Sequence, residues 1–228
     1  MPDRFPPIYR LATGFFRRLY FPTHGGVSVR HPERVPGEGG LIVVSNHVSH
    51  LDSPAMAVAF RGRRLRAMAK EELWKNPLFG KLIEGIGAFP VKRGEVDAEG
   101  VRKCLELLKG GEAVIVFAEG TRGDGRTMGT LEPGVALLAK KSGVPVLPVG
   151  VCGTQFVMPP GGKGGKHRVT VVVGEPFRYD EVAGKGRDGR ERFLAELRSR
   201  VMVLTAEGGV PLSSLPSEAE GLEGRGKS

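Results

Sequence analysis

The chain has 228 residues, 40% of them apolar, enough for one sizeable core, so a single domain is the expectation. No run approaches the ~20 consecutive apolar residues that span a bilayer, and the N-terminus lacks the apolar core and small-residue cleavage site of a secretory signal. A formal charge of +9 and a pI near 9.8 require an anionic partner: nucleic acid, an anionic membrane or phosphorylated small molecules.

Aromatic residues make up only 7% of the chain and show no base-stacking pattern, so nucleic acid is not the expected partner. Cys104 and Cys152 are too few for a disulfide framework and lack metal-ligand spacing. They read as reduced packing residues of a cytosolic or cytosol-facing protein.

Residues 4–21 predict an amphipathic helix. Phe5, Ile8, Tyr9, Ala12, Phe15, Phe16, Leu19 and Tyr20 recur at near three-four spacing, flanked by Arg4, Arg10, Arg17 and Arg18. Pro6 and Pro7 suit a first turn, and Pro22 reads as a stop. Two uses fit this pattern: a helix docked on its own domain, or one lying in a membrane interface.

Beyond it the chain alternates. Strands are expected at 26–30, 41–45, 65–69, 87–91, 113–117, 146–151 and 169–173, and helices at 53–60, 71–84, 97–109, 133–141 and 188–207. Short, continuously apolar strands between helices predict an α/β fold: one domain with a mixed, largely parallel sheet flanked by helices, plus the N-terminal amphipathic helix. The boundaries follow as 1–25 for that helix, 26–207 for the main domain and 208–228 for a disordered tail rich in Gly, Ser, Pro and charge.

The first candidate site follows the strand 41–45. In Ser45-Asn46-His47-Val48-Ser49-His50-Leu51-Asp52, a histidine and a carboxylate lie five apart just past a buried strand. Histidine is the side chain whose ordinary pKa lies nearest neutrality, and a carboxylate fixes its tautomer and stabilises its charged form. Five residues set the pair about 140° apart on an ideal helix, so a turn or a helix N-terminus has to bring them together.

Further along, Lys70 follows one strand, and Lys92 and Arg93 close another. Basic residues arriving at strand ends can form a phosphate pocket, although solvated strand ends are common in basic proteins. Glu119-Gly120-Thr121-Arg122 follows the strongest apolar strand, much as His47 follows its own. If these strands are parallel, both loops open at the carboxyl edge of the sheet, where ligands bind. Gly120 permits close backbone approach, Thr121 can donate a hydrogen bond, and Arg122 can fork onto a phosphate. The plain alternative is a polar turn with Glu119 and Arg122 paired.

Two literal motif matches are rejected. Gly221-Leu222-Glu223-Gly224-Arg225-Gly226-Lys227-Ser228 fits a phosphate loop, and Gly184-Lys185-Gly186-Arg187-Asp188-Gly189 fits a dinucleotide fingerprint, but neither has the strand and helix around it that the motif needs. With 35 glycines, such matches arise by composition. Neither a His-Glu-x-x-His metal motif nor a Gly-x-Ser-x-Gly nucleophile elbow occurs.

Extended to Asn46-His47-x-Ser49-x-x-Asp52 after a strand, the first site resembles the first motif of the glycerolipid acyltransferases, the lysophosphatidate acyltransferase type. Three further blocks follow in that family's order. Lys70-Glu71-Glu72-Leu73 through Gly80, with Gly87 to Arg93, is similar to the second. Phe117-Ala118-Glu119-Gly120-Thr121-Arg122 resembles the third, and Val144-Pro145-Val146-Leu147-Pro148-Val149 the fourth. Ala118 replaces the family's usual proline and Gly123 its usual serine, leaving the Glu119 and Arg122 side chains in place.

The resemblance implies a peripheral membrane enzyme of the cytoplasmic face that acylates lysophosphatidic acid to phosphatidic acid. His47 would be the base and Asp52 its orienter; Lys70, Arg93, Glu119, Gly120, Thr121 and Arg122 would bind substrate. Backbone amides near the His47 loop would stabilise the oxyanion. No cofactor or metal is implied; acyl-CoA or acyl-carrier protein would be the donor. Ser49 reads as a hydrogen-bond partner and His50 as a bystander. Apolar segments near Leu73, Leu78 and Phe79 fit either acyl chains or core packing. The alternatives are an acyltransferase for glycerol 3-phosphate or another lysophospholipid, and, in a different class, a non-catalytic basic membrane or nucleic-acid binding module.

Overall fold

A computed structural model describes residues 5–91, 98–117, 119–159 and 161–214. In chain order the helices are α1 (Pro7–Phe15), α2 (Phe21–Thr23), α3 (Asp52–Ala59), α4 (Pro77–Gly85), α5 (Ala98–Lys109), α6 (Pro133–Ser142), α7 (Thr154–Val157), α8 (Tyr179–Ala183) and α9 (Gly189–Glu207). The strands are β1 (Val27–Arg30), β2 (Leu41–Ser45), β3 (Leu65–Lys70), β4 (Ala88–Val91), β5 (Ala113–Phe117), β6 (Thr127–Met128), β7 (Val146–Cys152), β8 (Val169–Val173) and β9 (Ser213–Ser214).

The main sheet runs β1-β8-β7-β2-β5-β3-β4. From β7 to β4 every neighbouring pair is parallel, β7 and β8 are antiparallel, and β1 pairs parallel with β8. The expected α/β architecture, a mixed and largely parallel sheet, is therefore the one observed. β2 lies at its centre with Leu41 to Val44 wholly buried. Side chains alternate across the pleat: Ile42 and Val44 join the cluster under α5, α6 and α9, whereas Leu41 and Val43 join the one under α3. Each such burial contributes roughly 1.5–3 kcal/mol relative to exposure. The loop after β2 is thus anchored by the best-buried strand.

Three departures from the sequence reading have identifiable causes, two of them local and the third a long-range contact. The helix expected over 71–84 is split into a 3₁₀ turn, Glu71–Lys75, and α4. Pro77 drives Asn76 out of the helical region (φ −93°, ψ 110°), and the Asn76 side chain caps α4 by accepting from Leu78 N and Phe79 N, both at 3.1 Å. Pro22 does not stop the N-terminal helix. Residues Phe16–Tyr20 form a π-helical turn, and Pro22, which has no N–H to donate, sits in the first turn of α2. The tail expected from residue 208 is packed as far as residue 214: Leu212 is buried, and β9 pairs with β6. Residues 215–228 lie outside the described part.

The N-terminal helix is docked by one face and open on the other. Tyr9 is buried with its hydroxyl accepting from Leu65 N at 3.1 Å, and Phe21 is 1% exposed. Leu11, Phe15 and Leu19 are exposed. Of the apolar residues counted together in the sequence, Ile8 and Phe16 belong to the docked side: Ile8 packs against Gly85, and Phe16 against the core below α3. Among the described residues, no helix is long and apolar enough to cross a membrane.

Candidate active site

Because β2, β3, β4, β5 and β7 are parallel, their carboxyl ends, Ser45, Lys70, Val91, Phe117 and Cys152, open at one edge. The chain crosses there from β5 to β7 on the far side of β2, the kind of switch point at which open α/β sheets hold ligands.

His47 and Asp52 meet through a turn that the carboxylate itself closes. Asp52 Oδ2 accepts from His47 Nδ1 at 2.7 Å, from Val48 N at 2.8 Å and from Ser49 N at 2.9 Å. Asp52 is wholly buried and opens α3, whereas the His47 side chain keeps 17% of its exposure. A buried carboxylate is tolerated only when its lone pairs are satisfied, and these donors satisfy them. With Nδ1 engaged as the donor, Nε2 carries the lone pair that can accept a proton. Phe117 stacks on the imidazole, with ring centroids 3.8 Å apart and planes 14° apart.

Neighbouring residues hold this turn from both sides. The Asn46 amide continues the ladder where β2 ends: its Nδ2 donates to Val151 O at 2.8 Å, and its Oδ1 accepts from Val151 N at 2.9 Å. Gly123 N donates to His47 O at 2.8 Å. The Glu119 carboxylate accepts from Gly129 N at 2.9 Å and from the His47 amide, and burial pushes its pKa above the ordinary 4.5 against those two hydrogen bonds. Ser49 Oγ donates to Met158 O at 2.9 Å and accepts from Leu51 N at 3.2 Å, so the hydroxyl ties the turn to the segment after α7.

Lys70 and Gly120 line a cavity of about 260 Å³ together with His47, His50, Met68 and Phe117. Thr121 and Arg122 are exposed at the same edge, and the Arg122 guanidinium donates to His50 Nε2. His50 is therefore Arg122's partner, a contact sequence reasoning missed. Its pKa lies below the ordinary 6.5, chiefly through burial and then through Arg122 and His47. Glu119 and Arg122 thus engage different partners. Lys92, Arg93 and Ala118 lie outside the described residues.

An apolar cavity of about 400 Å³ continues from this one. They share His50, Ser53, Met68, Ala69 and Ile115, and the larger runs on between α1, α3, β3 and α4. Leu73 and Phe79 line it, whereas Leu78, 82% exposed, stands outside it on the surface of α4. Its wall includes Tyr9, Ala12 and Phe16 of the N-terminal helix, a use of that helix that its periodicity alone does not reveal.

The Cys152 thiol, buried at the end of β7, is pushed up to about 12 by burial and is held out of thiolate chemistry near neutral pH.

A family model described as Acyltransferase matches residues 26–152. The chain is 33% identical over 158 residues to a chloroplastic 1-acyl-sn-glycerol-3-phosphate acyltransferase of Arabidopsis thaliana, an alignment covering 66% of this chain and 43% of that protein. It is 29% identical over 161 residues to the 1-acyl-sn-glycerol-3-phosphate acyltransferase of Bacillus subtilis, covering 70% and 77% of the two chains. The crystal structure of the 1-acyl-sn-glycerophosphate acyltransferase of Thermotoga maritima superposes with a TM-score of 0.70 at 28% identity, covering 96% of this chain and 81% of that one. The chain thus spans less than half of the plant relative and most of the bacterial ones.

Proposed function

The chain belongs to the acyltransferase family, and from that membership we propose that it moves a fatty acyl group from an acyl thioester to the free hydroxyl of lysophosphatidic acid, giving phosphatidic acid. The observation that carries this reading is the His47 Nδ1–Asp52 Oδ2 contact of 2.7 Å at the wall of a cavity open at the carboxyl edge. His47 Nε2 takes the proton from the acceptor hydroxyl as its oxygen attacks the thioester carbonyl. The C–S bond then breaks, and the imidazolium returns the proton to the leaving sulfur. Asp52 stabilises the imidazolium between those steps. No acyl-enzyme is needed, and the Ser49 hydroxyl is already committed to Met158 O and Leu51 N.

Arg122 and Lys70, with Arg93, serve the acceptor phosphate, and the apolar cavity beside Ser53 and Met68 takes an acyl chain. Acyl-CoA and acyl-carrier protein both supply the required thioester. The reading is tested by an acyl-transfer assay offering lysophosphatidic acid, glycerol 3-phosphate and other lysophospholipids, each with both donors. Transfer to lysophosphatidic acid with the highest kcat/KM is the expected result. Preference for glycerol 3-phosphate or another lysophospholipid would replace the acceptor, and transfer to none would overturn the reading.

We further propose that the enzyme works as a peripheral protein on the cytoplasmic membrane face. Leu11, Phe15 and Leu19 project outward beside the exposed Arg10, Arg17 and Arg18, an apolar face bordered by cations. Removing the whole helix would uncover the Tyr9 and Phe21 sites, so the surface is better tested in the full chain. Leu11→Ser/Phe15→Ser/Leu19→Ser is expected to lower co-sedimentation with anionic vesicles while moving the melting temperature by no more than a few degrees. Raised salt is expected to weaken wild-type attachment, since each basic residue near an anionic surface contributes about 1 kcal/mol. Unchanged vesicle binding by the triple variant would remove this face as the anchor.

A further inference from the structure

The three hydrogen bonds already described all end on one oxygen of Asp52. The other oxygen, Oδ1, accepts from Thr154 Oγ at 2.5 Å. Thr154 is wholly buried, 102 positions from Asp52 in the chain, and two residues beyond the segment that the family model matches. Its place is set by the chain reversal after β7. Gly153 has φ +89°, and a Cβ there would fall 2.5 Å from Arg168 O, so the turn requires glycine and delivers the next side chain beneath Asp52.

We propose that Thr154 is a positioning residue for the base, acting through Asp52. Rotation about a carboxylate's terminal bond is soft and roughly two-fold, so the plane of a buried carboxylate is held by its donors rather than by its own torsion. With three N–H groups on Oδ2 and one O–H on Oδ1, both ends of that plane are pinned, and Oδ2 faces His47 Nδ1. Without the hydroxyl, a buried lone pair is left unsatisfied and the plane is free to turn. The imidazole then loses its orientation at the moment it must accept a proton.

This inference rests on the His47–Asp52 reading, and four variants test it: Thr154→Val, Thr154→Ser, Thr154→Ala and Asp52→Asn/Thr154→Val. Thr154→Val keeps the shape and removes the hydroxyl. It is expected to lower kcat about 10- to 100-fold, with both substrate KM values held within about twofold. Thr154→Ser keeps the hydroxyl and loses a methyl group, and should retain most of the activity. A packing role predicts the opposite order, valine better tolerated than serine, and that order would overturn the proposal. If the valine protein does not fold, Thr154→Ala against Thr154→Ser isolates the hydroxyl in the same way, and equal kcat in those two would overturn it.

In the Asp52→Asn background, Thr154→Val should cost far less than in the wild type, because residues acting through one another are not additive. A full additive loss there would show that Thr154 does not act through Asp52. An active His47→Ala enzyme would sink the underlying reading. An inactive His47→Ala enzyme beside a fully active Thr154→Val enzyme would sink this inference alone.

Discussion

Replacing His47 with Ala is expected to lower kcat for acyl transfer by about 10²- to 10⁴-fold in a protein that still folds, the usual contribution of a positioned general base. The imidazole is partly exposed and stacks on Phe117, so the loss should fall more on rate than on stability. Asp52→Asn is expected to be the milder lesion in rate and the harsher one in stability. Asp52 accepts four hydrogen bonds in a wholly buried position, and an amide turns one acceptor end into a donor facing donors. Steady-state kinetics beside thermal melts separate the two effects. Near wild-type turnover by folded His47→Ala would exclude the base mechanism. Ser49→Ala should lose less than either, and no acyl group should be trapped on Ser49, since its hydroxyl is a tether between Met158 and Leu51.

Arg122→Ala should act differently, raising the KM for the phosphorylated acceptor about ten- to hundredfold with a smaller change in kcat. A charge-assisted hydrogen bond is worth roughly 1.5–3 kcal/mol, and tenfold corresponds to about 1.4 kcal/mol. Lysine should restore only part of the affinity because it lacks the planar fork. Arg93→Ala is expected to follow the same pattern. Unchanged acceptor KM in both alanine variants, with lowered melting temperatures, would make these arginines structural.

Arg122 rests on His50 Nε2, which adds a pH dependence. Burial and then the neighbouring Arg122 cation disfavour the protonated form of His50, lowering its pKa below the ordinary 6.5. The neutral ring's contribution is therefore present above the ordinary value and lost as pH falls through the lowered one. Below that point Nε2 gains a proton, no longer accepts from Arg122 and repels it. Acceptor KM should consequently rise on the acid side more steeply in the wild type than in His50→Gln, as pH-dependent kinetics would show.

Local pattern alone located all seven strands of the main sheet, because the central ones are short apolar runs and the outer ones, such as Val27–Arg30, alternate apolar with polar residues. It also located the His47–Asp52 and Glu119–Arg122 loops as the polar segments that follow two of the apolar runs. The break before α4 was also written locally, in Asn76-Pro77, although amphipathic spacing on either side masked it. What local pattern does not hold is the partner of each polar group. Asn46 pairs with Val151 across 105 positions, Thr154 with Asp52 across 102, and His50 with Arg122 across 72.

The same is true of the N-terminal helix. Its apolar stripe announced an amphipathic helix, but only packing against α3 and α4 divided the stripe into a docked side with Ile8, Tyr9 and Phe16 and an open side with Phe15 and Leu19, which Leu11, outside the stripe, joins. The difference has one physical origin. Strand and helix formation depend on neighbours within a few residues, so the sequence displays them directly. A buried hydrogen bond instead depends on where the sheet's topology sets down residues from distant parts of the chain. Here the parallel run of β7, β2 and β5 brought His47, Asp52 and the Thr154 hydroxyl beneath it to one edge.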